Sequence, residues 1–379
     1  MKPDAKSLPL LVRGPYKGYS GHDCTVRSFV RYLVKAGARI NLQDLAHWSP
    51  AKLTTDQRDS WFDQFEKPIE SNIALHFCMP HQVKVLVDKA NVNFTMFEAS
   101  RIPEFWLRQN QQHDLVIVPT KSSKRFWCDS GFPEQRIRIC PLGVDSQRFR
   151  PTVVPLNLTD KNGKAVSEYR VRVLNISEIV TRKNLLSLLR VWIQATHQDD
   201  DAILIIKLNH SPASLLKFLR DLTLMEKAIG KDRSQAASIL FTDQVLTDAQ
   251  MPALYTTATH YWSMSFGEGW DQPMTEAGAS GLRLIAPDHT AYQSYLDSSV
   301  ACLLPCREVS IDPNKIDKNI RSLFQNAQWW QADEEAAAAA IQQAIAGTDQ
   351  PQADIRQRLN RQLNWTLAAQ RLLEIVNDI

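Results

Sequence analysis

The stretch that decides the fold reads Phe266-Gly267-Glu268-Gly269-Trp270-Asp271-Gln272-Pro273-Met274-Thr275-Glu276. Two carboxylates, Glu268 and Glu276, are separated by seven residues, and a glycine-rich turn follows the first. Pro273 favours the first turn of a helix, because the amide hydrogen that it lacks would have no partner there. Amides at a helix start attract anions such as phosphate. The stretch therefore predicts a phosphorylated ligand whose hydroxyl groups are held by one carboxylate on a loop and another on a helix.

Short apolar runs alternate with segments of helical periodicity on both sides of this stretch, which favours an α/β fold with mainly parallel sheets. Candidate strands of the first half are residues 8–12, 73–77, 92–96, 115–118 and 136–139. Those of the second half are residues 170–176, 202–208, 238–242, 259–265 and 282–286. Helices are predicted over residues 185–195, 334–345 and 365–376, the second of which contains five successive alanines.

The length of 379 residues predicts two or three domains. Around residues 152–167 the chain becomes polar and contains prolines and a glycine, which is typical of a linker. We therefore predict a first domain over residues 1–160 and a second over residues 168–363. Residues 364–379 then form a terminal helix.

Composition excludes several classes of function. A net charge of +3 without a lysine or arginine tract argues against a nucleic-acid partner. No stretch approaches the roughly 18 apolar residues needed to span a bilayer, and the apolar run at the N-terminus is too short for a secretion signal. The six cysteines are scattered without metal-ligand spacing. We expect reduced, mostly buried thiols, no metal site and a cytoplasmic location.

The spacing of Glu268 and Glu276 resembles the E-x7-E motif of the retaining GT-B glycosyltransferases of family 4. Other segments are similar to further motifs of that family and stand in the right order. They are a glycine-rich turn at 14–21, a strand with a serine-bearing loop at 114–122, a "PNGVD"-like segment at 137–145, and the basic pair Arg182 and Lys183. This order covers nearly the whole chain and is more specific than any one motif.

The resemblance implies the GT-B fold, in which two Rossmann-like domains with mainly parallel sheets face each other across a cleft and the terminal helix returns to the first domain. It implies metal-independent, retaining transfer of a glycosyl group to a hydroxyl acceptor, which is a glycan, a lipid-linked sugar or a small molecule. The donor would be a UDP- or GDP-linked sugar, with no other cofactor. Two alternatives stay open: a catalytically silent partner in a glycan-assembly complex, and a GT-B-fold epimerase or phosphorylase.

Arg182 and Lys183 follow the first strand of the second domain, where α/β sheets place ligand loops. Two adjacent cations there suit a diphosphate, although a surface pair near a helix start is the plainer interpretation. The resemblance implies that Glu276 binds the ribose hydroxyls and that Glu268 orients a hydroxyl of the transferred sugar.

The glycines beside Glu268 allow close approach of a ligand to the backbone. The resemblance implies amide donors to the sugar at Gly269, Trp270 and Asp271. Here the chain departs from the commoner E-G-F-G-L-P form, which leaves the identity of the donor sugar open.

Many relatives carry a histidine in a T-x-H segment of the first domain, where this chain has Glu98. Glu98 is our candidate to face the donor, and Arg101 is a candidate for contact with phosphate or acceptor. An i,i+3 ion pair of these two residues on a helix is an equal alternative. His76 is a second cleft candidate, although a lone histidine at a strand end is more often packed and hydrogen-bonded.

Weaker candidates complete the predicted site. Gly18 and Gly21 of the first glycine-rich turn would approach the diphosphate or the acceptor, although such a pattern is often only a turn. Asn209 and Val245 lie where the family reads the nucleotide base. A basic stripe on the first helix, Arg27, Arg31 and Lys35, is interpreted as a solvated face, with weak contact to a membrane surface as the minority view.

Overall fold

A computed structural model of the protein describes residues 8–45, 48, 52–350 and 352–379. Residues 1–7, which begin the first predicted domain, lie outside the described residues. The chain divides into two compact units, of which Met1–Asp145 with Arg358–Ile379 is the first and Ser146–Gln357 is the second. The polar stretch 152–167, interpreted above as a linker, belongs to the second unit, where Asp160 accepts hydrogen bonds from two backbone amides of a turn.

The strands in chain order are β1 (Pro9–Gly14), β2 (Arg39–Asp44), β3 (Ile73–Phe77), β4 (Ala90–Phe94), β5 (Leu115–Val118), β6 (Ile137–Ile139), β7 (Val171–Glu178), β8 (Ala202–Asn209), β9 (Ser238–Thr242), β10 (His260–Trp262), β11 (Arg283–Pro287), β12 (Cys302–Leu304), β13 (Cys306–Ser310) and β14 (Gln328–Ala332). The helices are α1 (Gly21–Lys35), α2 (Glu104–Asn110), α3 (Lys121–Asp129), α4 (Leu185–Ala195), α5 (Pro212–Ile229), α6 (Met251–Thr256), α7 (Gln272–Ala279), α8 (Glu334–Ala346), α9 (Arg356–Gln362) and α10 (Trp365–Asn377).

The first unit is built on one parallel sheet. Its described strands are ordered β2-β1-β3-β4-β5-β6, and each neighbouring pair is parallel. Helix α1 follows β1 directly, and a reciprocal capping box between Ser20 and Asp23 fixes its start. The close packing of β1 against α1 and β3 depends on Gly14, because a Cβ there would lie 2.9 Å from side-chain atoms of Phe77 and Val26.

The terminal helix α10 packs within the first unit. The ring centroid of Trp365 lies 5.2 Å from that of Phe29 on α1. The amide of Val144 donates to the carbonyl of Leu363 at 2.8 Å, which binds the chain just before α10 to the segment after β6. Gly143 permits this approach, because a Cβ there would lie 2.3 Å from the backbone nitrogen of Trp365. The glycine of the "PNGVD"-like segment therefore has a packing reason of its own.

The second unit repeats the architecture. Its described strands are ordered β12-β11-β10-β7-β8-β9, and the neighbouring pairs are again parallel. Trp192 of α4 is fully buried against this sheet and donates its indole N–H to the carbonyl of Ala237 at 3.1 Å. Burial of a large apolar side chain of this kind contributes about 1.5–3 kcal/mol. Strands β13 and β14 form a separate antiparallel pair.

The predicted α/β class with parallel sheets is confirmed. The strands predicted at 73–77, 115–118 and 238–242 and the helix at 185–195 have the predicted bounds. Strand β10 is shorter than the predicted 259–265, because the chain leaves the sheet after Trp262 to form the loop described below. Strands β2, β12, β13 and β14 were not predicted. The pair β13 and β14 lacks the short turn that marks a hairpin in a sequence, because a long loop joins its strands.

The described residues can be compared with three expectations from composition, on metal sites, membrane spans and cysteines. The structure contains no group there of three or more His, Cys, Asp or Glu that could hold a metal ion. No described helix is both long and apolar enough to cross a membrane. Cys78 and Cys140 are buried, whereas the other four cysteines are partly exposed, so the expectation of mostly buried thiols was wrong.

Candidate active site

The basic pair of the second unit lies on a short turn directly after the central strand. Strand β7 ends at Glu178, and Thr181–Lys183 then forms a 3₁₀ turn that carries Arg182 and Lys183. Asn184 ends the turn in the left-handed conformation, with φ of 51°. Since β10 pairs with β7 in parallel, the loops that leave both strands emerge at the same edge of the sheet.

Two hydrogen bonds join this turn to the loop after β10. The side-chain amide of Asn184 donates to the carbonyl of Met264 at 3.1 Å. The backbone amide of Phe266 donates to the carbonyl of Arg182 at 2.8 Å. The turn and the loop that begins the decisive stretch are therefore held in one arrangement.

Glu268 forms ion pairs with both cations. Its Oε1 lies 2.6 Å from Nζ of Lys183, and its Oε2 lies 2.9 Å from a guanidinium nitrogen of Arg182. The same guanidinium nitrogen donates to the carbonyl of Gly267 at 2.8 Å. Glu268 is only 6% exposed, and both cations are largely covered. The structure thus brings together three of the four catalytic residues predicted from the sequence.

Burial and charge oppose each other in this cluster. Burial acts to raise the pKa of Glu268, but Arg182 and Lys183 outweigh it and lower that pKa to about 2. Burial likewise acts to lower the pKa of Lys183, and the negative charges of Glu268 and Asp271 outweigh it, so that this pKa is raised. The two basic residues and Glu268 therefore remain charged around neutral pH.

Asp271 lies at the start of α7 in an unusual backbone conformation. Its φ is 62°, in the left-handed region that favours glycine, and it is 6% exposed. The hydroxyl of Tyr292 donates to its Oδ2 at 2.8 Å, whereas Oδ1 is buried and has no hydrogen-bond partner in the described part of the chain. Burial raises the pKa of Asp271 to about 6 against the opposing charge of Lys183. The preceding Trp270 is also buried, and its carbonyl accepts from the hydroxyl of Tyr295 at 2.7 Å.

Glu276 lies on α7, half-buried, one turn beyond the start of the helix. The hydroxyl of Tyr255 on α6 donates to its Oε2 at 2.6 Å. Burial raises the pKa of Glu276 to about 7, in part offset by the positive charge of Arg148. Glu276 therefore changes its protonation near neutral pH, in contrast to Glu268.

A buried histidine that sequence reasoning missed supports the loop. His289 donates from Nε2 to the carbonyl of Ser265 at 2.8 Å, and its Nδ1 accepts from the hydroxyl of Thr290 at 2.8 Å. Burial lowers the pKa of His289 to about 4, so the ring is neutral. Neither His289 nor Tyr255 nor Tyr292 stands at a spacing that marks it in the sequence.

The two residues predicted to lie near the nucleotide base follow neighbouring strands. Asn209 ends β8 opposite Glu178, the last residue of β7, and its Oδ1 accepts from Nζ of Lys207 at 3.0 Å. Val245 lies half-buried in the loop after β9. Both therefore follow the carboxyl ends of the strands, as the basic pair does.

Gly18, Gly21 and His76 are candidates that belong to the first unit. The amide of Gly18 donates to the carboxylate of Asp23 at 2.7 Å, so this amide is used within the turn. Gly21 is the first residue of α1, and a Cβ there would meet no atom of the described residues within 4 Å. His76 is buried between Arg13 and Asn91, and burial lowers its pKa to about 4, as the packed interpretation requires.

Glu98 and Arg101 lie in a bent segment after β4 and not on a helix, so the alternative of an i,i+3 helical pair was wrong. Glu98 is half-buried and Arg101 is exposed. The segment is followed by Pro103 at the start of α2, and proline disfavours helical conformation in the residue before it. The role of Glu98 stays a prediction.

The interpretation of the basic stripe on α1 as a solvated face was wrong for Arg27, whereas Arg31 is partly exposed and Lys35 is exposed. Arg27 is buried and donates to the carbonyls of Tyr16 and Gly18 at 2.8 and 2.7 Å. Arg31 pairs with Asp59 and lies over the ring of Trp61, with its guanidinium carbon 5.0 Å from the centroid. Arg27 therefore holds the glycine-rich turn, and Arg31 contacts the short 3₁₀ helix Ser60–Phe65 and the residue before it.

Comparisons with solved structures identify the architecture. The chain is similar over 98% of its length to a sucrose-phosphate synthase from Thermosynechococcus elongatus, with 15% identity, a TM-score of 0.64 and 98% of that chain covered. A glycosyltransferase from Rickettsia africae is 11% identical, with a TM-score of 0.65 and 98% of each chain covered. HepE of Anabaena in complex with UDP and glucose is 13% identical, with a TM-score of 0.60, 98% of this chain and 100% of that chain covered.

The fold is that of the GT-B glycosyltransferases. Identities this low show a shared fold but not a shared activity. The activity must therefore be inferred from the residues of the site. No protein-family profile and no curated protein matches the chain.

Proposed function

We propose that the protein is a retaining, metal-independent glycosyltransferase that moves a glycosyl group from a UDP- or GDP-linked sugar to a hydroxyl acceptor. The observation that carries this proposal is the buried cluster of Arg182, Lys183 and Glu268, which lies in the loops after β7 and β10 of the second unit. The protein shares its fold with HepE of Anabaena, which was solved in complex with UDP and glucose.

The two cations supply what a departing diphosphate needs. The guanidinium of Arg182 offers a planar fork to phosphate oxygens, and the ammonium of Lys183 offers a compact point charge. Both are paired with the carboxylate of Glu268. In the donor complex the diphosphate takes over part of this pairing, which releases an oxygen of Glu268 for a hydroxyl of the transferred sugar. Two positive charges at that point stabilise negative charge on the leaving group without a metal ion.

Glu276 provides the second contact to the nucleotide. It lies on α7, the short helix that follows the loop expected to contact the sugar. The hydroxyl of Tyr255 orients its carboxyl group. A carboxylate there accepts hydrogen bonds from the two ribose hydroxyls. Asn209 and Val245 complete the nucleotide site after the neighbouring strands.

In the transfer step the bond between the anomeric carbon and the diphosphate oxygen breaks, and a bond from the acceptor oxygen to the same face of that carbon forms. The acceptor proton goes to the leaving phosphate, so no carboxylate nucleophile is required, in contrast to retaining glycosidases. The acceptor is bound by the first unit, where Glu98 takes the place of the histidine found in many relatives.

Two assays test the proposal. A thermal-shift panel compares UDP, GDP and their hexose derivatives in the presence of EDTA, and a coupled assay measures nucleotide release from the same donors. We expect stabilisation by one nucleoside diphosphate and slow release of it from the matching sugar donor. Release that depends on an added divalent cation would contradict the metal-independent step.

The alternatives give different results. A catalytically silent relative would show neither thermal shift nor release, and an epimerase would change the sugar of the donor without consuming an added hydroxyl acceptor. The altered segment Trp270-Asp271-Gln272 motivates these controls, because it departs from the commoner form in the part that contacts the sugar.

A further inference from the structure

Asp271 has features that the start of α7 does not require. Its side chain makes no capping hydrogen bond to the helix, although aspartate at this position commonly does. Its backbone is in the left-handed region, with φ of 62°, where glycine would be free of strain. A residue held in such a conformation is a sign of a functional constraint when no structural role accounts for it.

The carboxyl group of Asp271 belongs to the cluster of the candidate active site. The charges of Lys183, Glu268 and Arg182 all act on it. Its Oδ1 is buried and has no hydrogen-bond partner among the described residues, whereas polar atoms buried to this degree are nearly always paired. A ligand group that donates a hydrogen bond would satisfy this atom.

Tyr292 holds the carboxyl group in place. Its hydroxyl donates to Oδ2 of Asp271 at 2.8 Å and lies 2.8 Å from the hydroxyl of Ser263, so it is fixed between two partners. The side chain of Asp271 is thus anchored through Oδ2, while Oδ1 has no hydrogen-bond partner among the residues that the structure describes. Tyr292 is a positioning residue in this arrangement.

We infer that Oδ1 of Asp271 accepts a hydrogen bond from a hydroxyl of the transferred sugar and so selects the donor. This inference rests on the proposed function and adds a side-chain contact to the backbone contacts expected from Gly269 and its neighbours. The sugar class is a neutral hexose. A hexuronic acid is disfavoured, because its carboxylate would meet the acidic side chains of Asp271 and Glu268.

The test measures how much the sugar adds to binding. Titration calorimetry gives the ratio of the Kd of a free nucleoside diphosphate to the Kd of its sugar derivative. The probes are UDP with UDP-glucose, UDP-galactose and UDP-glucuronic acid, and GDP with GDP-mannose. The variants are Asp271→Asn, which tolerates the same backbone and removes the charge, and Asp271→Gly, which relieves the strain and removes the side chain. Asn326→Gly is the backbone control, since Asn326 is exposed and also left-handed with φ of 58°.

For the best neutral donor, we expect Asp271→Gly to lower this ratio about 10-fold to 100-fold, the range for a lost hydrogen bond to a charged group. Asp271→Asn lowers it less and reduces the discrimination against UDP-glucuronic acid. The Kd of the free nucleotide changes less than the Kd of its sugar derivative in both variants, and Asn326→Gly changes neither quantity. Unchanged ratios in both Asp271 variants, with the nucleotide still bound, would overturn the inference and leave the proposed function standing. A wild-type protein that binds no nucleotide and no donor would overturn both.

Discussion

The two units contain the same parallel architecture but use the polar residues of their strand-end loops differently. In the first unit, the amide of Gly18 is bonded to Asp23 and its carbonyl to Arg27, so the polar groups of the glycine-rich turn satisfy one another. In the second unit, two cations share the carboxylate of Glu268, and Oδ1 of the neighbouring Asp271 has no hydrogen-bond partner from any described residue. The first arrangement supports the fold. In the second arrangement, an anionic ligand can replace Glu268 as a partner of the two cations, which is why we propose the donor site there.

The largest expected effect is a loss of activity when the charged cluster of the second unit is changed. Lys183→Met should lower nucleotide release from the donor about 100-fold to 1000-fold, because a preorganised charge at the leaving group is lost. The matched control is Lys217→Met, which removes a lysine from an exposed pair on α5. Steady-state release rates check both. A Lys183 variant as active as the Lys217 variant would show that the cluster does not serve the leaving group.

Substitutions in the first unit should lower the free energy of unfolding and leave the affinity for nucleotide unchanged. Arg27→Met leaves the carbonyls of Tyr16 and Gly18 without their donor, at a cost of about 2 to 3 kcal/mol. Arg31→Met removes a partly exposed pair with Asp59 and should cost below about 1 kcal/mol. Chemical denaturation compares the two variants, and UDP titration should give the wild-type affinity for each. Equal destabilisation would contradict a structural role of Arg27.

Glu276→Gln tests the second contact of the donor site. We expect UDP affinity to fall about 10-fold, because a neutral amide accepts hydrogen bonds less strongly than a carboxylate. Tyr255→Phe, which removes the 2.6 Å hydrogen bond to Glu276, should have a smaller effect of the same sign. Calorimetric titration with UDP measures both, and wild-type affinity in Glu276→Gln would remove this residue from the nucleotide site.

The free energy of unfolding should also depend on pH. Burial raises the pKa of Glu276 from 4.5 to about 7, so between these values the unfolded chain releases a proton that the folded chain retains. The contribution of Glu276 to the free energy of unfolding is therefore full below pH 4.5 and falls as pH rises to about 7. Asp271 acts in the same direction between pH 3.8 and about 6. Chemical denaturation at several pH values in this range measures the free energy of unfolding. It should fall less steeply with pH in Glu276→Gln than in the wild-type protein, and an equal slope would contradict the raised pKa.

Much of the site could be predicted because it depends on local order in the sequence. Arg182 and Lys183 follow one strand and Glu268 follows another, and parallel pairing brings such loops to one edge. The basic pair and Glu268 are therefore juxtaposed as expected. The role of Gly143 in packing was not predicted, since it depends on Trp365 at the other end of the chain.

The remaining parts of the site depend on contacts that no spacing shows. Tyr292 reaches Asp271 and His289 reaches Ser265 only because β11 pairs with β10 and directs the following segment onto the loop. The buried state of Arg27 was missed for a related reason: the helical stripe shows which residues share a face, but not that the glycine-rich turn folds over it. Side-chain partners from distant segments are a property of tertiary packing.

The most direct test of the donor site is a crystal structure of the protein with UDP, prepared with EDTA. We predict diphosphate oxygens within about 3 Å of Nζ of Lys183 and of the guanidinium of Arg182, a usual distance for charge-assisted hydrogen bonds. The ribose hydroxyls should lie against Glu276. A bound UDP elsewhere, with both cations still paired only to Glu268, would contradict the account.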